Sequence, residues 1–289
     1  MRNGSTAILV GLEGQYHFIL LTRQGNMKTM KRMSLILVLN LAFSTTLLAE
    51  IWSDVDKEQR WAEQIIDTLF DGETIWLDAS GHEFLAIDME ASDGDTGRAA
   101  IVVHGIGVHP NWEQVVRPLR VGLPEHGWHT LSIQMPILLN DAESYQYAPL
   151  LDEVAGRINA AIGYLRERGQ ENIVIVAHSM GATMTMRYME DVPEAPVLGL
   201  VLIGMQGGSE TVHDNAATLE KINLPVLDLY GSDDLPGVVD FTERKADAAR
   251  TAGNDAFRQI RVEGADHFFD DLEDALVETV AGWLEDNAS

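Results

Sequence analysis

The sequence contains no cysteine and few basic residues. Without cysteine the chain can form no disulfide, bind no zinc through thiolates and use no thiolate nucleophile. It carries 20 lysines and arginines against 45 aspartates and glutamates, a formal net charge of −25 at pH 7. A surface of this sign repels nucleic acid and anionic lipid, so we expect neither as a partner.

The histidines lack the spacing of a metal site. Nine are present, and none stands in a pattern such as H-E-x-x-H, so we expect neither a metal nor an organic cofactor. The sequence also lacks internal repeats and low-complexity linkers. Hydrophobic residues make up 46% of the chain, which is enough for the core of one large domain. The sequence does not indicate an oligomeric state.

The N-terminus has the pattern of a secretory signal peptide. Residues 27–32 are basic, and residues 34–49 form an apolar run that ends in Leu-Leu-Ala before Glu50. The run is shorter than the ~20 residues of a membrane span. We therefore predict a signal peptide at 1–49, in which 1–26 is an upstream extension, and export to the bacterial periplasm or the medium. No membrane insertion is expected after cleavage; an uncleaved N-terminal anchor is the alternative.

The remaining residues, 50–289, are predicted to form a single domain. Residues 1–49 contain five basic side chains and one acidic one, so the rest of the chain carries a formal net charge of −29. We interpret this excess as a well-solvated acidic surface. It carries no information about the fold.

After residue 50, strands alternate with helices. A capping-box pattern, Ser53-x-x-Asp56, predicts a helix to about Phe70, and residues 73–79 and 84–90 predict a β-hairpin at a sheet edge. Further strands are expected at 99–104, 130–134, 173–177, 198–203, 226–230 and 257–262, and helices at 112–123, 149–169, 182–190, 209–221, 239–251 and 272–284. This order predicts an α/β fold with a mostly parallel central sheet, helices on both faces and no large lid domain.

A serine stands at the strongest strand-to-helix junction. The β-branched run that begins at Val174 ends in Ala-His-Ser-Met-Gly, and a helix-compatible stretch follows at once. The G-x-S-x-G nucleophile elbow has this form, in which a strained turn lifts a serine hydroxyl above the sheet edge. Gly181 fits the second small position, and Ala177 replaces the first glycine. The pattern predicts Ser179 as a nucleophile.

Two further loops supply the partners that a serine needs. Crevices of such sheets lie outside the carboxyl ends of the strands, so residues that follow different strands meet there. A serine hydroxyl needs a base, and His267 follows the strand at 257–262. A buried carboxylate must orient that base, and Asp234 or its neighbour Asp233 follows the strand at 226–230. An aspartate pair in this position is also a common helix cap, so a structural role stays open.

The loop after the strand at 99–104 is expected to complete the site. A tetrahedral oxyanion needs preorganised N–H donors, and we expect them from the backbone of Ile106 and Met180. Trp112 either walls the acyl pocket or covers the core of the next helix, and His178 either lines the site or packs beside the elbow. The candidate pocket-lining residues are His104, Gly105, Gly107, Trp112 and His178.

These motifs resemble those of the α/β-hydrolase superfamily from about residue 73 to the end. The matching segments are 104–107 (His-Gly-Ile-Gly), 177–181 (Ala-His-Ser-Met-Gly), 231–234 (Gly-Ser-Asp-Asp) and 264–269 (Gly-Ala-Asp-His-Phe-Phe). Segments 103–112 and 127–136 resemble a narrower set of exported bacterial hydrolase-like proteins with no assigned substrate. The superfamily's acid usually stands three residues after the glycine that ends its strand, which implies Asp234, with Asp233 as the alternative.

The resemblance implies an α/β-hydrolase fold, a serine nucleophile and an acyl-enzyme, and it does not imply a substrate. We expect an exported serine hydrolase that acts on the ester or a related acyl bond of a small molecule. A peptidase, thioesterase or acyltransferase would share the same triad. The alternative from another class is a non-catalytic envelope binding or assembly module built on a hydrolase scaffold.

Overall fold

The computed structural model describes residues 6–12, 15–21, 52–94, 96–208 and 212–288. Two compact units are present, residues 1–46 and 47–289. In the first, β1 (Thr6–Leu12) pairs antiparallel with β2 (Gln15–Leu21), a strand pair that our reading of 1–26 as an upstream extension did not anticipate. The basic and apolar parts of the predicted signal peptide, residues 27–49, lie outside the described residues.

The second unit is organised around a sheet that contains eight strands within the described residues. In chain order these strands are β3 (Glu73–Ala79), β4 (His82–Met89), β5 (Arg98–Val103), β6 (His129–Ile133), β7 (Asn172–His178), β8 (Gly199–Ile203), β9 (Val226–Gly231) and β10 (Phe257–Val262). Their order across the sheet is β10-β9-β8-β7-β5-β6-β4-β3. The pairs from β10 to β6 are parallel, and β4 pairs antiparallel with both β6 and β3. The predicted edge hairpin is therefore confirmed.

Helices cover both faces of this sheet. In chain order they are α1 (Val55–Thr68), α2 (Val116–Gly122), α3 (Leu151–Glu167), α4 (Met180–Asp191), α5 (Asn215–Leu219), α6 (Pro236–Val239), α7 (Thr242–Ala252) and α8 (Glu273–Asn287). Short 3-10 helices span Leu123–His126 and Ser144–Leu150. No helix in the described part of the chain is both long and apolar enough to cross a membrane.

The alternation of apolar residues along the central strand produces two cores. Ile173, Ile175 and Ala177 of β7 pack with α3, α4, α5 and α7 on one face. Val174 and Val176 point to the other face, where they pack with α2 and α8. Because successive side chains of a strand point to opposite faces, a continuous apolar run here is the pattern of a strand buried on both sides.

Several predicted helix boundaries are wrong, and local chemistry explains each difference. Asp54, not Ser53, caps α1, because its carboxylate accepts a hydrogen bond from the Lys57 N–H. The helix predicted at 112–123 begins only after Val115, whose positive φ of 56° is incompatible with a helix. Pro149 lies inside the second 3-10 helix rather than at the first turn of α3.

Two further helices are shorter than predicted. The helix predicted at 239–251 corresponds to α7, which begins only at Thr242 after the short α6 has ended at Val239. The helix predicted at 209–221 is reduced to the five residues of α5 within the described part of the chain. No lid is therefore inserted between β8 and β9 in the described residues, in agreement with the prediction of no large lid domain.

Candidate active site

The turn between β7 and α4 has the strained geometry of a nucleophile elbow. Ser179 adopts φ 55° and ψ −119°, and its N–H donates to the Ile203 carbonyl at 2.8 Å. A Cβ on Gly181 would lie 2.4 Å from the His104 carbonyl oxygen and 2.7 Å from that of Val103, so this position requires glycine. Ala177 is fully buried in the core, and its methyl group packs there. The replacement of the first glycine therefore leaves the turn intact.

The structure brings Ser179, His267 and Asp234 into one hydrogen-bonded chain. His267 Nε2 is 2.9 Å from Ser179 Oγ, and His267 Nδ1 is 2.6 Å from Asp234 Oδ1. His267 and Asp234 are each only 6% exposed, whereas Ser179 is partly exposed. An ionised Asp234 accepts only, so Nδ1 carries the proton and Nε2 is left to accept the serine hydroxyl. This is the arrangement that activates a serine.

The charge state of Asp234 follows from its surroundings. Burial favours its neutral form, but the hydrogen bond and charge of His267 and the Leu235 N–H outweigh burial and lower the pKa of Asp234. The Leu235 N–H donates to Oδ1 at 2.7 Å. Asp233 is exposed, and Ser232 Oγ is its hydrogen-bond partner. The structure thus places Asp234, rather than Asp233, beside His267.

The loop after β5 passes directly over the elbow. A Cβ on Gly105 would lie 3.3 Å from both His178 Nδ1 and Ser179 Cβ, so glycine permits the close passage. The Ile106 and Met180 N–H groups donate to no other backbone or side-chain acceptor in the described part of the chain. Met180 is the first residue of α4, where an N–H has no partner within the helix. Both predicted oxyanion donors are thus free.

His104 fixes this loop from behind. Its Nε2 accepts hydrogen bonds from the Gln134 side chain and the Met135 N–H, both at 2.9 Å, so its proton resides on Nδ1. Nδ1–H then donates to the Gly105 carbonyl at 2.8 Å. Burial lowers the pKa of His104 to about 3, which keeps the imidazole neutral. The peptide unit that carries the Ile106 N–H is therefore held through its carbonyl.

His178 holds the loop that carries the base. Its Nε2–H donates to the His267 carbonyl at 2.9 Å, and the centroids of the two imidazole rings are 4.9 Å apart. Burial, and then the charge of His267, lower the pKa of His178 to about 4, so its ring is neutral near pH 7. A neutral neighbour would not oppose the positive charge that the predicted base His267 would acquire.

A cavity of about 320 Å³ opens beside Ser179. None of the described residues that line it is an aspartate, glutamate, lysine or arginine. Its apolar side chains are Ile106, Val108, Trp112, Met180, Val212, Leu235 and Phe268, and its polar ones include Gln114, Ser144, Thr183 and Gln206. Such a cavity suits an uncharged, largely apolar group.

Three of the five candidate lining residues, Gly105, Trp112 and His178, lie along this cavity. The assignment of His104 and Gly107 to the lining is wrong. His104 is 1% exposed and lies behind the loop, and the Gly107 carbonyl is turned away to accept a hydrogen bond from Lys57. Sequence reasoning missed the contribution of Phe268, although it directly follows the predicted base.

Gly204 is a further site residue that sequence reasoning missed. It follows β8 with a φ of 60° and lies beside His267. The sequence feature that could have identified it is a glycine directly after the predicted strand at 198–203, at the same edge of the sheet as the other site loops.

No group of three or more metal-ligating side chains occurs among the residues that the structure describes. Elsewhere the acidic and basic side chains form ion pairs, among them a fully buried pair between Lys245 and Asp228 at 2.8 Å.

Comparison with protein families gives one match. The model of a family described as "Protein of unknown function (DUF3530)" matches residues 50–149 and 139–286. No curated protein matches the sequence. The matched residues include all three members of the hydrogen-bonded chain at the site.

Solved structures similar to this chain are α/β hydrolases. Est1E from Butyrivibrio proteoclasticus is 15% identical, with a TM-score of 0.57 over 74% of this chain and 98% of its own. An α/β serine hydrolase without lid from Xanthomonas campestris is 18% identical, with a TM-score of 0.58 over 76% and 97%. A dienelactone hydrolase from Anabaena variabilis is 14% identical, with a TM-score of 0.60 over 75% and 98%. The predicted α/β-hydrolase fold without a large lid is confirmed.

Proposed function

The chain belongs to this DUF3530 family of proteins of unknown function, and we propose that it is a serine hydrolase that cleaves uncharged carboxylic esters or related acyl bonds. The observation that carries the proposal is the hydrogen-bonded chain from Ser179 through His267 to Asp234, with links of 2.9 and 2.6 Å. It ends at a partly exposed hydroxyl in an apolar cavity, which is where a nucleophile must stand to meet a substrate.

The geometry suits an acyl-enzyme route. His267 Nε2 takes the Ser179 proton as Oγ attacks the acyl carbon, and Asp234 stabilises the imidazolium that forms. The Ile106 and Met180 N–H groups bind the oxyanion of the tetrahedral intermediate. His267 then gives its proton to the leaving alcohol, which departs. Water, activated by the same imidazole, hydrolyses the acyl-enzyme and releases the acid.

The cavity and the surface charge favour a neutral substrate. Among the residues that the structure describes, the cavity lining includes no lysine or arginine to pair with an anion. The formal net charge of −25 also repels anionic molecules at a distance. An apolar cavity of about 320 Å³ accommodates an acyl chain of several carbons or an aromatic acyl group.

The alternative functions of an α/β-hydrolase scaffold place different requirements on the site. A peptidase or thioesterase shares the triad, and we favour esters because an ester needs no charged subsite for recognition. A binding module with a vestigial triad would still function if its serine were covered by other residues, or if its histidine pointed away from the serine. The open cavity and the intact contact between Ser179 and His267 support the enzyme instead.

We also propose that the hydrolase is exported. The support is the basic segment at 27–32 followed by the apolar run at 34–49 in the sequence. The substrate would then be a small molecule of the cell envelope or its surroundings. N-terminal sequencing of the protein recovered from the periplasm tests this, since a protein that retains Met27 to Ala49 would contradict cleavage.

Labelling with a fluorophosphonate probe tests the hydrolase assignment. We expect the full-length chain and a Ser92→Ala control to be labelled, and Ser179→Ala and His267→Ala to remain unlabelled. Ser92 is exposed and bonds to Glu125, so its loss controls for removal of a hydroxyl. A parent that is folded by circular dichroism yet unlabelled would overturn the proposal.

Hydrolysis of an ester series tests the substrate class. Neutral acyl esters should outperform esters of equal length that end in a carboxylate by ~10-fold or more in kcat/KM, because the described cavity lining offers no lysine or arginine to pair with a buried anion. Equal rates for both series would contradict the uncharged class and leave the serine mechanism intact.

A further inference from the structure

Lys57 is a buried cation that the proposed mechanism does not use. It lies on α1 and is 5% exposed, and no carboxylate in the described residues forms an ion pair with it. Its ammonium donates instead to three neutral oxygens: the Gly107 carbonyl at 3.2 Å, the Leu138 carbonyl at 2.6 Å and Asn140 Oδ1 at 2.7 Å. A lysine has three N–H donors, so all of them are engaged.

These acceptors lie on two separate loops beside the candidate site. Gly107 belongs to the loop that follows β5 and carries the oxyanion donor Ile106. Leu138 and Asn140 belong to the segment between β6 and the 3-10 helix at Ser144–Leu150, whose first residue lines the cavity. The ammonium therefore links the oxyanion loop to the segment next to it.

The loop is held at two of its peptide units, the one directly before Ile106 and the one directly after Gly107. The Gly105 carbonyl, before Ile106, is held by His104, and the Gly107 carbonyl, after it, is held by Lys57. Gly107 has a φ of 67°, in the left-handed region, which turns its carbonyl toward α1. Because hydrogen bonds from charged donors are stronger than neutral ones, the ammonium is well suited to hold this turn.

A second contact from α1 reaches the same loop. The Lys57 ammonium lies 4.4 Å from the centroid of the Trp61 ring. Trp61 meets His109 edge to face at 4.9 Å, and His109 meets Trp112 of the cavity at 5.4 Å. Residues one turn apart on α1 therefore contact this loop at two points, Gly107 and His109.

We propose that Lys57 is a positioning residue for the oxyanion hole: by tying the Gly107 carbonyl to Leu138 and Asn140, it fixes the Ile106 N–H relative to Ser179. The inference rests on the proposed function for its catalytic consequence. The structural part of the inference, namely that α1 orders the loop, depends only on the contacts described above.

Substitution of Lys57 should reduce turnover rather than affinity. Loss of an oxyanion donor costs about 10²–10³ in rate, so a donor that is only misplaced should cost roughly 10-fold or more in kcat. We expect Lys57→Gln and Lys57→Met to lower kcat by at least that factor, with KM within about 3-fold of the parent because Lys57 itself does not line the cavity. Arg60→Gln removes an exposed cation from the same helix and should leave both constants unchanged.

A variant that only weakens α1 separates positioning from stability. Ile65 packs on Leu85 and Ile87 and does not contact the loop, so Ile65→Ala should lower Tm while kcat at 25 °C is retained. If Ile65→Ala and Lys57→Gln lose kcat equally at equal Tm, Lys57 is structural and the proposal is wrong.

Amide hydrogen exchange tests the loop without any substrate. In Lys57→Gln, exchange over residues 104–112 should accelerate relative to the parent and Arg60→Gln, while residues 172–178 of β7 stay protected. Unchanged exchange in the loop overturns the inference. If the parent neither reacts with fluorophosphonate nor hydrolyses esters, the proposed function fails, and exchange alone decides whether Lys57 orders the loop.

Discussion

Gly204 lies directly against the imidazole of His267. A Cβ at position 204 would stand 2.8 Å from Cε1 and 3.0 Å from Nδ1 of that ring, and 3.5 Å from Asp234 Oδ2. The two distances to the ring are shorter than van der Waals contact, so any side chain here must displace the histidine. The absence of a side chain after β8 is thus a condition for the hydrogen bond between His267 and Asp234.

Gly204→Ala should therefore inactivate the enzyme. We expect kcat to fall by ~10² or more, because a displacement of about 1 Å at a catalytic group costs on this order. Gly253→Ala is the matched control: Gly253 has a similar φ of 69° but nothing within 4 Å of its missing Cβ. Both variants should lose about 1–2 kcal/mol from the left-handed backbone, measured by urea unfolding. If the Gly204 variant retains full kcat, the contact has no catalytic importance.

The neighbouring aspartates after β9 should respond in opposite ways. Asp234→Asn keeps the shape of the side chain but cannot hold the required tautomer of His267, so kcat should fall by ~10³–10⁴. Asp233→Asn changes an exposed carboxylate and should alter kcat by less than about 2-fold. Steady-state kinetics on one neutral ester compares them. If Asp233→Asn lowered kcat more than Asp234→Asn, Asp233 would be the acid that orients His267.

The buried neutral histidines should make stability depend on pH. The pKa of His104 is lowered by burial from 6.5 to about 3, so near pH 5 the unfolded chain binds a proton there that the folded chain does not. This contribution is fully present above pH 6.5 and is lost as the pH falls toward 3. Between pH 6.5 and 5, the loss of unfolding free energy from this one group amounts to roughly 2 kcal/mol.

A variant of His104 isolates this dependence. His104→Gln should show a loss of unfolding free energy between pH 6.5 and 5 that is smaller by about that amount, measured by urea titration at both pH values. His126→Gln, a change at a partly exposed histidine, serves as the control and should leave the dependence unchanged. Parallel curves for the parent and His104→Gln would show that His104 is not held neutral by the fold.

Trp112 should limit the length of the acyl group. Its ring lines the cavity, and its replacement by alanine enlarges the space beside Ser179. In Trp112→Ala we expect the ratio of kcat/KM for long over short acyl esters to rise several-fold, since each methylene buried contributes about 1 kcal/mol. Trp76→Ala, on the edge strand β3 and 44% exposed, should leave the ratio unchanged. A ratio unaffected by the Trp112 change would place the acyl group elsewhere.

The parts of the fold that the sequence predicted are those with local signals. The buried strand that ends in Ala-His-Ser-Met-Gly is one, because strand, tight turn and helix follow each other within a few residues. The edge hairpin around Ser80 and Gly81 is another, and both residues adopt positive φ in the turn. Such signals depend on backbone sterics and on the alternation of side chains, and both are determined by residues that are close together in the sequence.

The choice between adjacent residues required the tertiary structure. Asp233 and Asp234 are chemically identical, and only the packing of their loop on the loop before His267 separates them. A Cβ on Gly231 would lie 2.1 Å from the Ala265 carbonyl oxygen, so the two backbones touch there. In the same way, Ser53 and Asp54 are both good capping residues. Ser53 is instead engaged with Glu58 and the Ile137 carbonyl.

Lys57 shows what a closer reading of helical spacing could have found. It stands four residues before Trp61 and eight before Ile65, on the face of α1 that the apolar pattern predicts to be buried. A lysine in that stripe must find oxygen partners inside the protein. Which partners it finds depends on loops that lie 50 and more residues away, and no local pattern reveals them.

The base and the nucleophile are 88 residues apart in the chain, and the base comes near its end. During synthesis Ser179 emerges first and is an ordinary alcohol until the segment with His267 has been made and has folded onto the sheet. A nascent chain therefore lacks the hydrogen bond between Ser179 and His267 on which the proposed reactivity depends. Under the proposed mechanism, a chain that terminates before His267 lacks the base and is an inert product.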